Sequence, residues 1–118
     1  MSRATQEFDG VEGWRRGQER STHVAVREAC GVYFIRCGAF VKIGQSVNIV
    51  RREKDLQGWN PYPVKVVGFV PCTGPRLFEL EEQIHRLLAT SHHRGEWFKL
   101  SDEVKQYIRT QTTRWASR

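Results

Sequence analysis

The sequence predicts an α/β fold of the α+β kind, a small three-stranded, mainly antiparallel sheet flanked by helices. Three observations predict it. Runs rich in β-branched and aromatic residues stand at 31–36, 40–44 and 64–71, a composition typical of strands. The first two runs are joined by Cys37-Gly38-Ala39 alone, a connection of hairpin length. Stretches with apolar residues at helical spacing follow the second and third runs.

The totals fit one such domain. The chain has 118 residues, 39% hydrophobic and 27% charged, enough for one core and ordinary for a globular protein. We divide it into a lead-in arm over 1–29 and a domain over 30–116. No apolar run reaches the ~18 residues that span a bilayer, and the first residues lack the apolar core of a signal peptide. The expected setting is cytoplasmic, away from membranes. Three cysteines with no C-x-x-C pair exclude a disulfide framework and a zinc ribbon. His92-His93, with no cysteine pair nearby, reads as an ordinary polar loop. The net charge of +6 favours polyanionic partners such as nucleic acid, although many basic proteins carry such an excess without one.

Taken in order, residues 5–20 suggest a short helix weakened by Gly10, Gly13 and Gly17, and His23–Arg27 an extended piece. In the hairpin, a two-residue Gly38-Ala39 turn of type II′ sets Cys37 against Phe40, Ile35 against Lys42 and Tyr33 against Gly44. Tyr33 and Lys42 then share a face, because paired residues do. A three-residue loop would put them on opposite faces. Ser46 is a suitable N-cap for a helix over 47–57, with Ile49, Val50 and Leu56 inward. Arg52 falls at the edge of that inner side and Arg51 nearly opposite it. The third strand is followed by a helix from Thr73 and Pro75 to about Ala89, whose apolar arc is Leu77, Leu80, Ile84, Leu87 and Leu88. Glu81 lies at the margin of that arc, with His85 one turn on. A carboxylate there needs a partner, either an arginine or a metal. Residues 95–100 read as a short strand or extended piece, and Ser101 caps a last helix with Val104, Tyr107, Ile108 and Trp115 on its apolar side.

Several of these residues resemble the GIY-YIG nuclease family. Gly31-Val32-Tyr33 stands where GIY would, and Lys42-Ile43-Gly44 where YIG would. Arg52, eight residues past Gly44, matches the family's helix arginine. Leu80-Glu81, His85 and Gly95-Glu96-Trp97-Phe98 are similar to the compact phage and bacterial branch, in which the second motif commonly reads KIG.

The resemblance, covering about residues 31–100, implies hydrolysis of phosphodiester bonds in double-stranded or branched DNA with one Mg2+ or Mn2+. It makes Tyr33 the residue that activates or orients the attacking water and Arg52 the stabiliser of phosphate charge. Glu81 becomes the metal ligand and His85 a proton-transfer candidate. Lys42 replaces the second tyrosine; its ammonium can lower the pKa of Tyr33 or bind phosphate. The family's late asparagine has no counterpart, since Asn48 and Asn60 are both early. Glu96 is ambiguous between a role in the site and a mainly structural one; the structural reading, with Trp97 and Phe98 as core, is the favoured one. Two other readings compete: a non-catalytic nucleic-acid-binding module on the same fold, and an unrelated small α/β interaction domain.

Overall fold

A computed structural model describes residues 29–115. The expected arm over 1–29 lies outside them except for Ala29. That residue is buried, and its carbonyl accepts from Ile49 N–H at 3.1 Å, so it belongs to the folded part.

The chain runs β1 (Gly31–Cys37), β2 (Phe40–Ser46), α1 (Ile49–Gly58), β3 (Lys65–Pro71), α2 (Arg76–Leu87), a 3-10 turn (Ala89–Ser91), β4 (His92–Arg94), β5 (Trp97–Lys99) and α3 (Asp102–Gln111). The sheet is antiparallel with strand order β3-β1-β2-β5-β4. It has five strands where three were expected. The two added strands are three residues each, too short to show the alternation by which a strand is read from sequence.

The hairpin register is the expected one. Cys37 pairs with Phe40, Ile35 with Lys42 and Tyr33 with Gly44. Gly38 has φ +64°, the positive value that the first central position of such a turn demands. β1 is an interior strand, paired on both edges and buried on both faces, which explains its nearly unbroken apolar run. Residues of one parity face α2 and α3: Val32, Phe34, Val41, Ile43 and Phe98 pack with Leu77, Ile84, Leu88 and Val104. Residues of the other parity face α1: Tyr33, Ile35, Val66 and Phe69 pack with Ile49 and Leu56.

Three local expectations change. Asn48, not Ser46, caps α1, its side chain accepting from Arg51 N–H at 3.0 Å. Ser46 is still in β2, opposite Gly31, and the helix cannot begin until that ladder ends. Leu87 is exposed, because α2 stops there and a 3-10 turn carries the chain away. Trp115 lies beyond α3 and packs edge-on against Phe69, on the α1 side of the sheet. Thr113 pairs with Phe69 and takes the chain round the β3 edge.

Candidate functional site

The site forms where β2 outruns β5. β5 pairs with β2 from Phe40 to Lys42, and one further link joins Ile43 N–H to the Glu96 carbonyl at 2.9 Å. Gly44, Gln45 and Ser46 therefore have a strand on the β1 side only. Side chains from both layers reach into the space beside them.

Tyr33 and Arg52 come from the α1 side. Tyr33 is fully buried and faces Gly44 across the ladder. Its phenol occupies the room left by the missing side chain. A Cβ on Gly44 would lie 2.5 Å from the Tyr33 hydroxyl and 2.7 Å from Glu96 Oε1, so glycine is required there. The hydroxyl has no hydrogen-bond partner. The Arg52 guanidinium, from the first turns of α1, favours the ionised phenol by its charge and as a nearby donor, although its N–H groups are not aligned for a full hydrogen bond to the hydroxyl. Burial dominates, and with the negative charge of Glu96 and a smaller push from Glu81 it holds the Tyr33 pKa up at about 12. Tyr33 is therefore a neutral phenol at pH 7. The groups acting on it are Glu96, Arg52 and Glu81; the expected lowering by Lys42 is not among them.

Glu81, Gln45 and His85 come from the α2 side. Gln45 Nε2 donates to Glu81 Oε1 at 2.7 Å. His85 Nε2 lies 2.7 Å from the Ile43 carbonyl and 3.6 Å from Glu81 Oε2. A carbonyl can only accept, so Nε2 carries the proton and His85 ties α2 to β2 through it. The ring nitrogen nearest Glu81 is thus already committed, and His85 lies beside the carboxylate at 3.6 Å without donating to it.

Lys42 and Glu96 close the arrangement. Lys42 Nζ stands 3.5 Å from Glu96 Oε1 and 5.4 Å from the centre of the Trp97 ring. Lys42 answers Glu96. Phe98 is core, as expected, but Trp97 is only half-buried, on the opposite face.

All five predicted residues, Tyr33, Lys42, Arg52, Glu81 and His85, border this space. Sequence reasoning favoured a structural part for Glu96 without settling it and passed over Gln45. Glu96 contacts Lys42, abuts Gly44 and acts on both Tyr33 and Glu81. The available signal was its place just before Trp97, after a glycine that turns the chain with φ +56°. Reading it required knowing that Trp97 pairs with Lys42.

Among the described residues, no three His, Cys, Asp or Glu side chains gather as a metal cluster. Glu81 with Glu96 nevertheless offers hard oxygen donors beside an unpartnered buried hydroxyl. That donor set fits Mg2+ or Mn2+, which keep several waters and take phosphate oxygens, better than zinc.

These features define a small α+β domain with a polar cleft where its central hairpin outruns the next strand. The chain belongs to the T5orf172 domain family, whose model matches residues 30–115. No curated protein and no solved structure matches it. Among the described residues, no helix is long and apolar enough to cross a membrane.

The cleft should register in pH-dependent stability. Burial raises the Glu81 pKa above 4.5; donation from Gln45 lowers it, Glu96 raises it again by charge and as an acceptor for its proton, and His85 lowers it. A carboxyl whose folded pKa is raised binds its proton more tightly when folded. Its stabilising contribution is full below 4.5 and is lost as pH climbs through the folded value. In EDTA, the melting temperature of wild type relative to Glu81→Gln should fall from pH 4.5 towards neutrality. A flat difference across that range would show that Glu96 and burial do not press on Glu81.

Proposed function

We propose that this domain is a divalent-metal-dependent endonuclease of the GIY-YIG type, hydrolysing phosphodiester bonds in double-stranded or branched DNA. The observation that carries the reading is the Tyr33 hydroxyl. It is buried and unpartnered, and it lies in the Gly44 notch beside Glu96, under the influence of Arg52 and Glu81. A folded protein rarely leaves such a group idle, since it costs about 1–3 kcal/mol.

Each residue then has a task. Glu81, with Glu96 beside it, would hold the metal, which when bound would act as a Lewis acid on a phosphate oxygen. Tyr33, neutral at pH 7, orients the attacking water or a phosphate oxygen by hydrogen bonding; it does not act as a standing phenolate. The Arg52 guanidinium offers its fork to charge that builds on the phosphate. Lys42 supplies a second positive charge once a phosphate competes with Glu96 for it. Gln45 fixes the Glu81 carboxylate by a hydrogen bond to Oε1, and His85 stands beside Oε2 as the proton-transfer candidate.

The test is nicking of supercoiled plasmid and of branched DNA with Mg2+ or Mn2+. Wild type should nick and Glu81→Ala should lose roughly 100-fold or more, about the scale seen when a charge-stabilising group is removed from an active site. No nicking by wild type, or equal nicking by the variant, sinks the reading. One observation favours a second reading. Lys42 already neutralises Glu96 at 3.5 Å, as a non-catalytic nucleic-acid-binding module would allow. Absent nicking together with binding that weakens steeply with salt would select it.

A further inference from the structure

The sheet is covered unevenly. On the α2–α3 side the core runs from Val32 on β1 across Ile43 on β2 to Phe98 on β5. On the α1 side the buried cluster includes residues of β1 and β3 but none of β2, β5 or β4. The register places Phe40, Lys42, Trp97 and Lys99 on that side. The irregular β4–β5 pairing sets Arg94 opposite Trp97, and the His93 ring lies 4.6 Å from that of Phe40. Among the described residues, the buried cluster under α1 takes in none of these side chains.

Its chemistry is specific. Phe40 and Trp97 are half-buried aromatics two ladder positions apart, with His93 against the first and the Lys42 ammonium over the second. Lys99 and Arg94 are exposed at its border. The three strands contain no acidic residue, and Glu96, in the turn between β4 and β5, is taken by Lys42. The surface is also continuous with the cleft: Phe40, Lys42 and Gly44 lie on one face of β2, and the four residue steps between the first and the last span about 14 Å.

We propose that the α1-side face of β2, β5 and β4 is a docking surface for single-stranded DNA, with bases stacked on Trp97 and Phe40 and phosphates held by Lys99 and Arg94. Aromatic rings lying on a sheet among cations can accept only bases released from a duplex, since paired bases present edges and not faces. The proposal goes beyond the hydrolytic reading, because the face binds a strand whether or not the cleft cuts it. Where both hold, an unpaired strand is led along β2 towards Gly44 and Tyr33.

The test uses the full chain in EDTA, so that binding is read without cleavage. Fluorescence anisotropy would follow a labelled oligothymidylate of about fifteen nucleotides, within the usual reach of such surfaces, and a duplex of matched length. The single strand should bind more tightly than the duplex. Trp97→Leu and Phe40→Leu should each weaken single-strand binding roughly 10-fold, with little change for duplex, as loss of one base–aromatic stack implies. Arg94→Gln with Lys99→Gln, both at exposed positions that threaten no core, should reduce the slope of log affinity against log salt by about 1.4. Preference for duplex, equal binding by the Trp97 and Phe40 variants, an unchanged salt slope, or no binding by the full chain overturns the proposal. Strand binding through Trp97 by a protein that cannot nick plasmid would retain it and reject the nuclease.

Discussion

Alanine at position 31 should cost this domain a large share of its stability. Gly31 opens β1 with φ +153°, a conformation that L side chains rarely adopt. A Cβ there would overlap the Val70 carbonyl on β3 and press on Pro71 Cα, which are backbone atoms and cannot rotate away. Backbone strain of about 1–3 kcal/mol adds to overpacking of about 1–3 kcal/mol. A domain of this size has only about 5–15 kcal/mol of stability. The melting temperature should therefore fall by roughly 10 °C or more, at about 4–8 °C per kcal/mol. Gly38→Ala is the control for chain entropy, since it too has positive φ but open space around it, and it should cost far less. Equal losses at the two positions would mean that β3 does not crowd Gly31.

The two glycines of the motif thus serve different ends. Gly31 lets β3 approach β1, and Gly44 makes room for the Tyr33 hydroxyl and Glu96. This bears on how much was legible in the sequence. The hairpin and its register were legible, because Gly38-Ala39 fixes the turn and the turn fixes which residues share a face. Arg52 and Glu81 were legible from helical spacing, since each sits at the margin of an apolar arc. What was hidden depended on pairings between distant segments. Strands of three residues carry no period, so β4 was missed, and β5, legible only as a short strand or extended piece, could not be assigned its partners. With them went the pairing of Trp97 with Lys42, and hence the place of Glu96 in the cleft. The cap of α1 was hidden for a similar reason. Ser46 and Asn48 both suit an N-cap, and only the Ser46–Gly31 pairing decides between them. Lys42 was visible as an odd charge in a strand, but its partner was not.

Tyr33→Phe should move stability and activity in opposite directions. The hydroxyl is buried and unpartnered, and its pKa of about 12 records a phenol that burial and two carboxylates keep from ionising. Removing an unsatisfied buried hydroxyl relieves a penalty of about 1–3 kcal/mol, less a little for the atom's lost packing. In EDTA the variant should melt a few degrees above wild type, at about 4–8 °C per kcal/mol. Its nicking rate under the proposed function should drop roughly 100-fold or more, on the scale of losing a positioned proton donor or acceptor. The pair of results is more demanding than either alone. A merely structural tyrosine would lose stability on truncation, and a hydroxyl outside the chemistry would leave nicking unchanged. The Gly44 notch explains why both effects belong to one atom: the fold gives up a side chain there and tolerates a bare hydroxyl beside two carboxylates. Phenylalanine resolves that conflict for the fold and leaves the cleft without the group that the conflict preserves. Destabilisation of Tyr33→Phe, or full retention of nicking, would show that the hydroxyl is not held in reserve for a ligand.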